Sequence, residues 1–225
     1  MRSNGLRNGL AFVMLVVPAC VVLAGCSSGP EKTAGEERSA MAVGGLKETR
    51  GELVAAKAQI NKTLSVMNAM RDGQGALPTE FAAYNAELKK NDEQAAKTRK
   101  RAADMQARSK QYQAKWREEM GKVEDPTLRA AAAERANKVG QSYKGITAKA
   151  NEAKAAYQPF VKQLKSVQTY LSNDLTPAGV QSAGPVFDKA TADGKVVNEK
   201  LDAVIAELDK VATELNPAAA APAKK

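Results

Sequence analysis

From about residue 41 to residue 215, apolar residues recur in steps of three and four, and no run alternates at period two. That rhythm puts the apolar residues on one stripe of an α-helix, whereas a half-buried strand requires period two. The stripe is also narrow. Leu46, Leu53, Ile60 and Met67 stand seven residues apart, with Ala56, Thr63 and Met70 three positions further on, the seam of a coiled-coil-like packing. Leu, Ile, Val and Phe make up only about 15% of residues 26–225, too little for a thick globular core. Alanine fills much of the difference, and it combines the highest helix propensity with little area to bury. The composition therefore favours slender helices that approach closely.

Breaks divide the rhythm into segments. Asp72, Gly73, Gln74, Gly75 and Pro78 end the first helix, and Thr79 beside Glu80 is the expected N-cap of the second. The second seam carries Phe81, Tyr84, Leu88, Ala95, Ala102, Met105, Tyr112 and Trp116, and it closes at Gly121 and Asp125-Pro126. The third runs through Val139, Ile146, Ala150, Ala153, Tyr157, Phe160, Leu164, Val167 and Leu171, with Pro159 inside it removing one backbone donor and predicting a kink. Asn173-Asp174 and Pro177 end it, and an irregular connection with Gly179, Gly184 and Pro185 follows. A last helix spans about Val186 to Leu215, its apolar face carrying Val197, Leu201, Val204, Ile205, Leu208, Val211 and Leu215. The expected fold is all-α: an elongated antiparallel bundle of three long helices plus a shorter piece, with the first and last paired.

The N-terminus reads differently. Arg2 and Arg7 precede an apolar run from Leu10 to Leu23 that is shorter than the roughly 20 residues of a membrane span and contains Pro18. Residues 1–25 thus read as a secretory signal peptide. Leu23-Ala24-Gly25-Cys26 resembles the lipobox of bacterial lipoproteins, which implies cleavage before Cys26 and transfer of lipid to its sulfur. Several acyl chains on one residue give a near-permanent membrane anchor. Ser27 stands where, in lipoproteins, an aspartate would favour retention at the inner membrane, so the outer membrane, with the chain facing the periplasm, is expected. Residues 26–40 then form a flexible tether, 41–215 the bundle, and 216–225 a disordered tail rich in Ala, Pro and Lys. Cys20 lies in the removed segment, which leaves Cys26 without a disulfide partner.

The sequence contains no histidine, the commonest general base and transition-metal ligand. With Cys26 committed to lipid, no catalytic residue, metal site or cofactor is expected. Glu36-Glu37 and Glu118-Glu119 are adjacent carboxylates, but neighbours on a helix do not face each other. Trp116, between Lys115 and Arg117, reads either as seam packing with Tyr112 or as a contact for a ligand or lipid head group. The formal charge of +9 includes Arg2 and Arg7, so cleavage would leave +7. Such a surface is either a solvated helical face or a binder of anionic envelope polymers, peptidoglycan or lipopolysaccharide, through bases such as Lys97, Arg99, Lys100, Arg101 and Arg108. Nucleic acid is not an expected partner outside the cytoplasm.

Tyr112 with Trp116-Arg117-Glu118-Glu119, and the run from Pro159-Phe160-Val161 through Leu164 to Gln168-Thr169-Tyr170-Leu171-Ser172-Asn173, resemble the bacterial family known as domain of unknown function 2959 (DUF2959). The likeness extends from about Gln94 to Leu215 and implies a helical fold with no assigned activity. A lipidated cysteine, a helical rod and a terminal lysine also resemble the plan of the major outer-membrane lipoprotein of enteric bacteria, which implies a possible link from Lys225 to peptidoglycan. The combined expectation is a lipid-anchored, non-enzymatic spacer or adaptor that pairs with its own copies or with another envelope protein.

Overall fold

The computed structural model describes residues 32–73 and 75–216. Five helices account for nearly all of them: α1 (Ala34–Arg71), α2 (Leu77–Gly121), α3 (Pro126–Asn173), α4 (Pro177–Ser182) and α5 (Gly184–Leu215). No strand occurs among the described residues, and the all-α bundle is as expected. At 32 residues α5 is the shorter partner of α1, α2 and α3, while the short α4 replaces part of what reads as an irregular connection.

Local chemistry explains each boundary. The tether expected over 26–40 is already helical from Ala34, because Thr33 and Glu36 form a reciprocal capping box. Thr33 Oγ1 accepts from the Glu36 N–H at 3.2 Å, and the Thr33 N–H donates to Glu36 Oε2 at 2.8 Å. α1 ends with Asp72 as C-cap and Gly73 at φ +67°, the left-handed geometry in which glycine is favoured. Thr79 is not the cap of α2. Ala76 is, and Pro78 lies in the first turn, where its missing N–H would have no intrahelical partner. Asp125 caps α3 by accepting from the N–H groups of Thr127 and Leu128 at 2.8 and 2.9 Å. Thr176 caps α4 through the Gly179 N–H, and a Cβ on Gly179 would lie 2.3 Å from the Asp174 carbonyl oxygen, so that turn requires glycine. α3 continues through Pro159 to Asn173.

α1 packs between α2 and α5, and α3 packs between the same two helices on the far side. Each adjacent pair is antiparallel. Arg101 of α2 reaches Glu48 of α1 at 2.7 Å, while Arg71 and Arg50 of α1 reach Asp188 and Asp209 of α5 at 2.7 and 2.9 Å. Lys165 of α3 meets Asp92 of α2 at 3.0 Å, and Lys200 of α5 meets Glu152 of α3 at 2.9 Å. The expected pairing of first and last helices is therefore present. The result is an up-down-up-down four-helix bundle with short connections. Its sides are unequal, since α2 and α3 touch far less than the other neighbouring pairs.

Large side chains fill the core unevenly along its length. Tyr84, Phe160 and Phe187 are fully buried towards the α1–α2 turn, and the Tyr84 hydroxyl donates to the Leu164 carbonyl at 2.7 Å. Tyr112, Trp116 and Tyr143 are buried towards the α2–α3 turn. Between these aromatic ends the facing surfaces of α2 and α3 carry Ala95, Ala102, Ala150 and Ala153.

Candidate functional site

Cys26 and Lys225, the two residues expected to be modified, lie outside the described residues, as do the signal peptide and the tail from 217. Asn216 is the C-cap of α5. No described helix is long and apolar enough to cross a membrane, and no described group of three or more His, Cys, Asp or Glu side chains is placed to hold a metal ion.

The adjacent carboxylates are separated by the tasks they perform. Glu36 holds the α1 cap, which lowers its pKa from the ordinary 4.5. Glu119 pairs with Arg38, while Glu118 pairs with Lys122 at 3.5 Å. The basic run on α2 divides in a similar way. Lys100 turns to Asp104 at 2.8 Å, and Arg101 and Arg108 share Glu48 at 2.7 and 3.3 Å. Among the described residues, Lys97 and Arg99 have no ion-pair partner.

Trp116 belongs to the seam. It is 9% exposed and tilts against Tyr112 at 5.6 Å between ring centroids. The cations at its faces come from other helices: the Arg38 guanidinium carbon lies 5.2 Å from the indole centroid and 5.6 Å from the Tyr112 ring, and that of Arg135 lies 5.5 Å from the indole. Each contact has cation–π geometry. Burial raises the Tyr112 pKa, and the nearby Ser39 and Arg38 only partly offset it. Arg38 lies within the stretch expected to be tether. It stands four residues before buried Ala42 and in step with Leu46, Thr49 and Leu53, a rhythm that extends the first seam about two turns further back.

Midway along the bundle, the weak contact between α2 and α3 opens a cleft of about 370 Å³. Its floor is the α1–α5 interface, with Leu53 and Ile60 from α1 and Val197, Leu201 and Val204 from α5. Its walls are the four facing alanines. Asn91 and Tyr157 close one end, with Asn91 Nδ2 donating to the Tyr157 hydroxyl at 2.9 Å. Burial pushes the Tyr157 phenol up to about 12. Arg99 on α2 and Lys154 on α3 stand exposed at the mouth, and no carboxylate is among the lining residues. Small residues on both facing seams were the sequence signal for this gap; alanines that suggest close approach also leave a void where neighbouring large residues hold the helices apart.

The DUF2959 family model matches residues 28–215, nearly the whole described chain. The chain belongs to this family of proteins of unknown function. The DUF2959 match begins earlier than the likeness visible from Gln94 onward and takes in α1 with Arg38. Among curated proteins and among solved structures, nothing matches the chain.

Proposed function

We propose that this DUF2959 protein is a non-enzymatic cell-envelope protein, held to a membrane by lipid on Cys26 and facing the periplasm at the outer membrane. Its bundle acts as a spacer or adaptor between that membrane and a protein partner or a second copy of itself. The observation that carries this reading is the use of charge along the bundle. Pairs such as Arg101 with Glu48, Arg71 with Asp188 and Lys200 with Glu152 join neighbouring helices, and the carboxylates with lowered pKa values are held by lysines or by a cap rather than poised against one another. Helices of 45 and 48 residues extend about 68 and 72 Å at 1.5 Å per residue, more than the roughly 40–45 Å of a whole bilayer. Tied together in this way, they suit a stiff stand-off better than a site of chemistry. Binding of anionic polymers through the α2 bases is less well supported, since Lys100, Arg101 and Arg108 are spent on neighbouring carboxylates.

The test combines fractionation with cross-linking in the native envelope. The wild-type chain is expected in the outer-membrane fraction, and Cys26→Ser is expected to leave it. Photo-cross-linkers at exposed Leu128 and Met41 are expected to capture a discrete partner or a dimer. Equal distribution of wild type and Cys26→Ser would defeat the anchor, and the absence of any discrete cross-link from either position would defeat the adaptor.

A further inference from the structure

Protein interiors are close-packed and contain few voids larger than a water molecule. Aromatic residues pack both ends of this core, yet an alanine-walled cleft remains between them, and its volume of about 370 Å³ falls within the range of small-molecule sites. We propose that this cleft binds a single acyl chain carrying an anionic head group, with the chain over Ile60 and Leu201 and the head group between Arg99 and Lys154.

Shape, polarity and charge each narrow the occupant. A helix with its side chains is about 10 Å across and cannot enter a space of this volume between α2 and α3, which argues against a partner helix or a second copy. A single methylene chain can. The lining stretch of α2 from Asn91 to Gln106 runs about 22 Å at 1.5 Å per residue. One leaflet of a bilayer is about 15 Å of hydrocarbon, half of the roughly 30 Å core, so a membrane acyl chain fits with room for its head group. The floor is aliphatic and would gain from covering apolar surface. At the mouth, Arg99 and Lys154 sit on opposite helices, neither has an ion-pair partner among the described residues, and no carboxylate lines the cleft to repel an anion. Arg99 thus differs from Lys100, Arg101 and Arg108 on the same helix, each of which already contacts a carboxylate. Beyond Gln106 the α2–α3 seam continues as a more polar groove with Ser109, Gln113 and Lys144, where a larger polar head group would remain hydrated. Free fatty acids and lysophospholipids share this chemistry.

The full chain is purified from its native envelope in mild detergent and examined by native mass spectrometry with added palmitate, lysophosphatidylglycerol or methyl palmitate. Palmitate or lysophosphatidylglycerol is expected to add once and saturate at one per chain, and the better binder identifies the natural source. Ala102→Phe, which fills the cleft from its wall, is expected to abolish the adduct. Arg99→Gln with Lys154→Gln changes only exposed positions and is expected to weaken binding about tenfold, the effect of losing two partly exposed charge contacts. Retained helicity by circular dichroism separates loss of binding from loss of fold. Three results would overturn the proposal: no saturable adduct with either anion, equal uptake by Ala102→Phe and wild type, or methyl palmitate binding as fully as palmitate.

Discussion

Gly194 of α5 lies so close to Leu64 of α1 that a Cβ at this position would stand 2.6 Å from Leu64 Cδ1 and 3.2 Å from Phe160 Cε2. Three helices meet there, and only glycine fits without displacing a core side chain. An exposed helical glycine replaced by alanine should gain up to about 1 kcal/mol from propensity. Gly51, exposed on α1 with nothing within 4 Å of an added Cβ, is expected to show that gain. Gly194→Ala is expected to show the opposite sign, a loss of about 1–2 kcal/mol from overpacking. Urea denaturation of the two variants checks the contrast.

Arg38 supports the far end of the core by covering Trp116 and Tyr112 while pairing with Glu119. Arg38→Ala removes that cover and leaves Glu119 without its partner, at an expected cost of about 2–3 kcal/mol, discounted because the Glu119 side chain is 36% exposed. Arg38→Met keeps the apolar cover and should recover the packing part of the loss, while the unpaired Glu119 keeps the rest. Tryptophan emission reports the difference directly, since Trp116 is the only tryptophan. Its spectrum should shift to the red in Arg38→Ala and stay near wild type in Arg38→Met.

Buried phenols set the alkaline limit. Burial pushes Tyr143 and Tyr157 from an ordinary 10.0 up to about 12, and it raises Tyr84 further. A group whose folded pKa lies above its unfolded value contributes stability that is complete below the unfolded pKa and is lost as pH rises through the folded one. Melting temperature should therefore hold up to about pH 10 and fall between about 10 and 12. Phenolate absorbance for these tyrosines should appear together with loss of helicity.

Glu87 sets an opposite, acidic limit. It is 8% exposed, accepts from Lys90 at 2.8 Å and from Gln59 at 2.9 Å, and its pKa is lowered from the ordinary 4.5, chiefly by the Lys90 bond. Its contribution is present above the unfolded pKa and lost as pH falls through the folded one. Thermal melts across the acid range should show stability declining below about pH 4.5, and Glu87→Gln should flatten part of that decline. An unchanged acid slope in Glu87→Gln would assign the acid sensitivity to other carboxylates.

The legible part of this fold is the part governed by periodicity. Leu46, Leu53, Ile60, Met67, Phe160, Leu164, Val167 and Leu171 all lie in the core, because a narrow apolar stripe has one way to avoid water. What periodicity could not report was local or compensating. The start of α1 depends on one capping box at Thr33 and Glu36, within a stretch whose Ser, Gly and Pro suggest a tether. Arg38 is buried in spite of its charge because Glu119 compensates it, and only the fold brings that partner near; Glu87 is held by Lys90 one turn along its own helix and by Gln59 of α1. Gly194 carries no signal of its own, since its role depends on where Leu64 and Phe160 arrive. At the candidate site, the facing alanines were visible while the gap between them was not: its width is set by the large residues on either side along the bundle.

The most direct measurement is the intact mass of the chain extracted from its native envelope, with and without lysozyme digestion. Lipidation at Cys26 predicts a polypeptide that begins at Cys26 and carries the added mass of its acyl chains, released by detergent alone. A muropeptide on Lys225, freed only by lysozyme, would add a covalent link to the wall at the other end. An unmodified mass in the soluble fraction would contradict the anchor and with it the reading of the bundle as a membrane-held spacer.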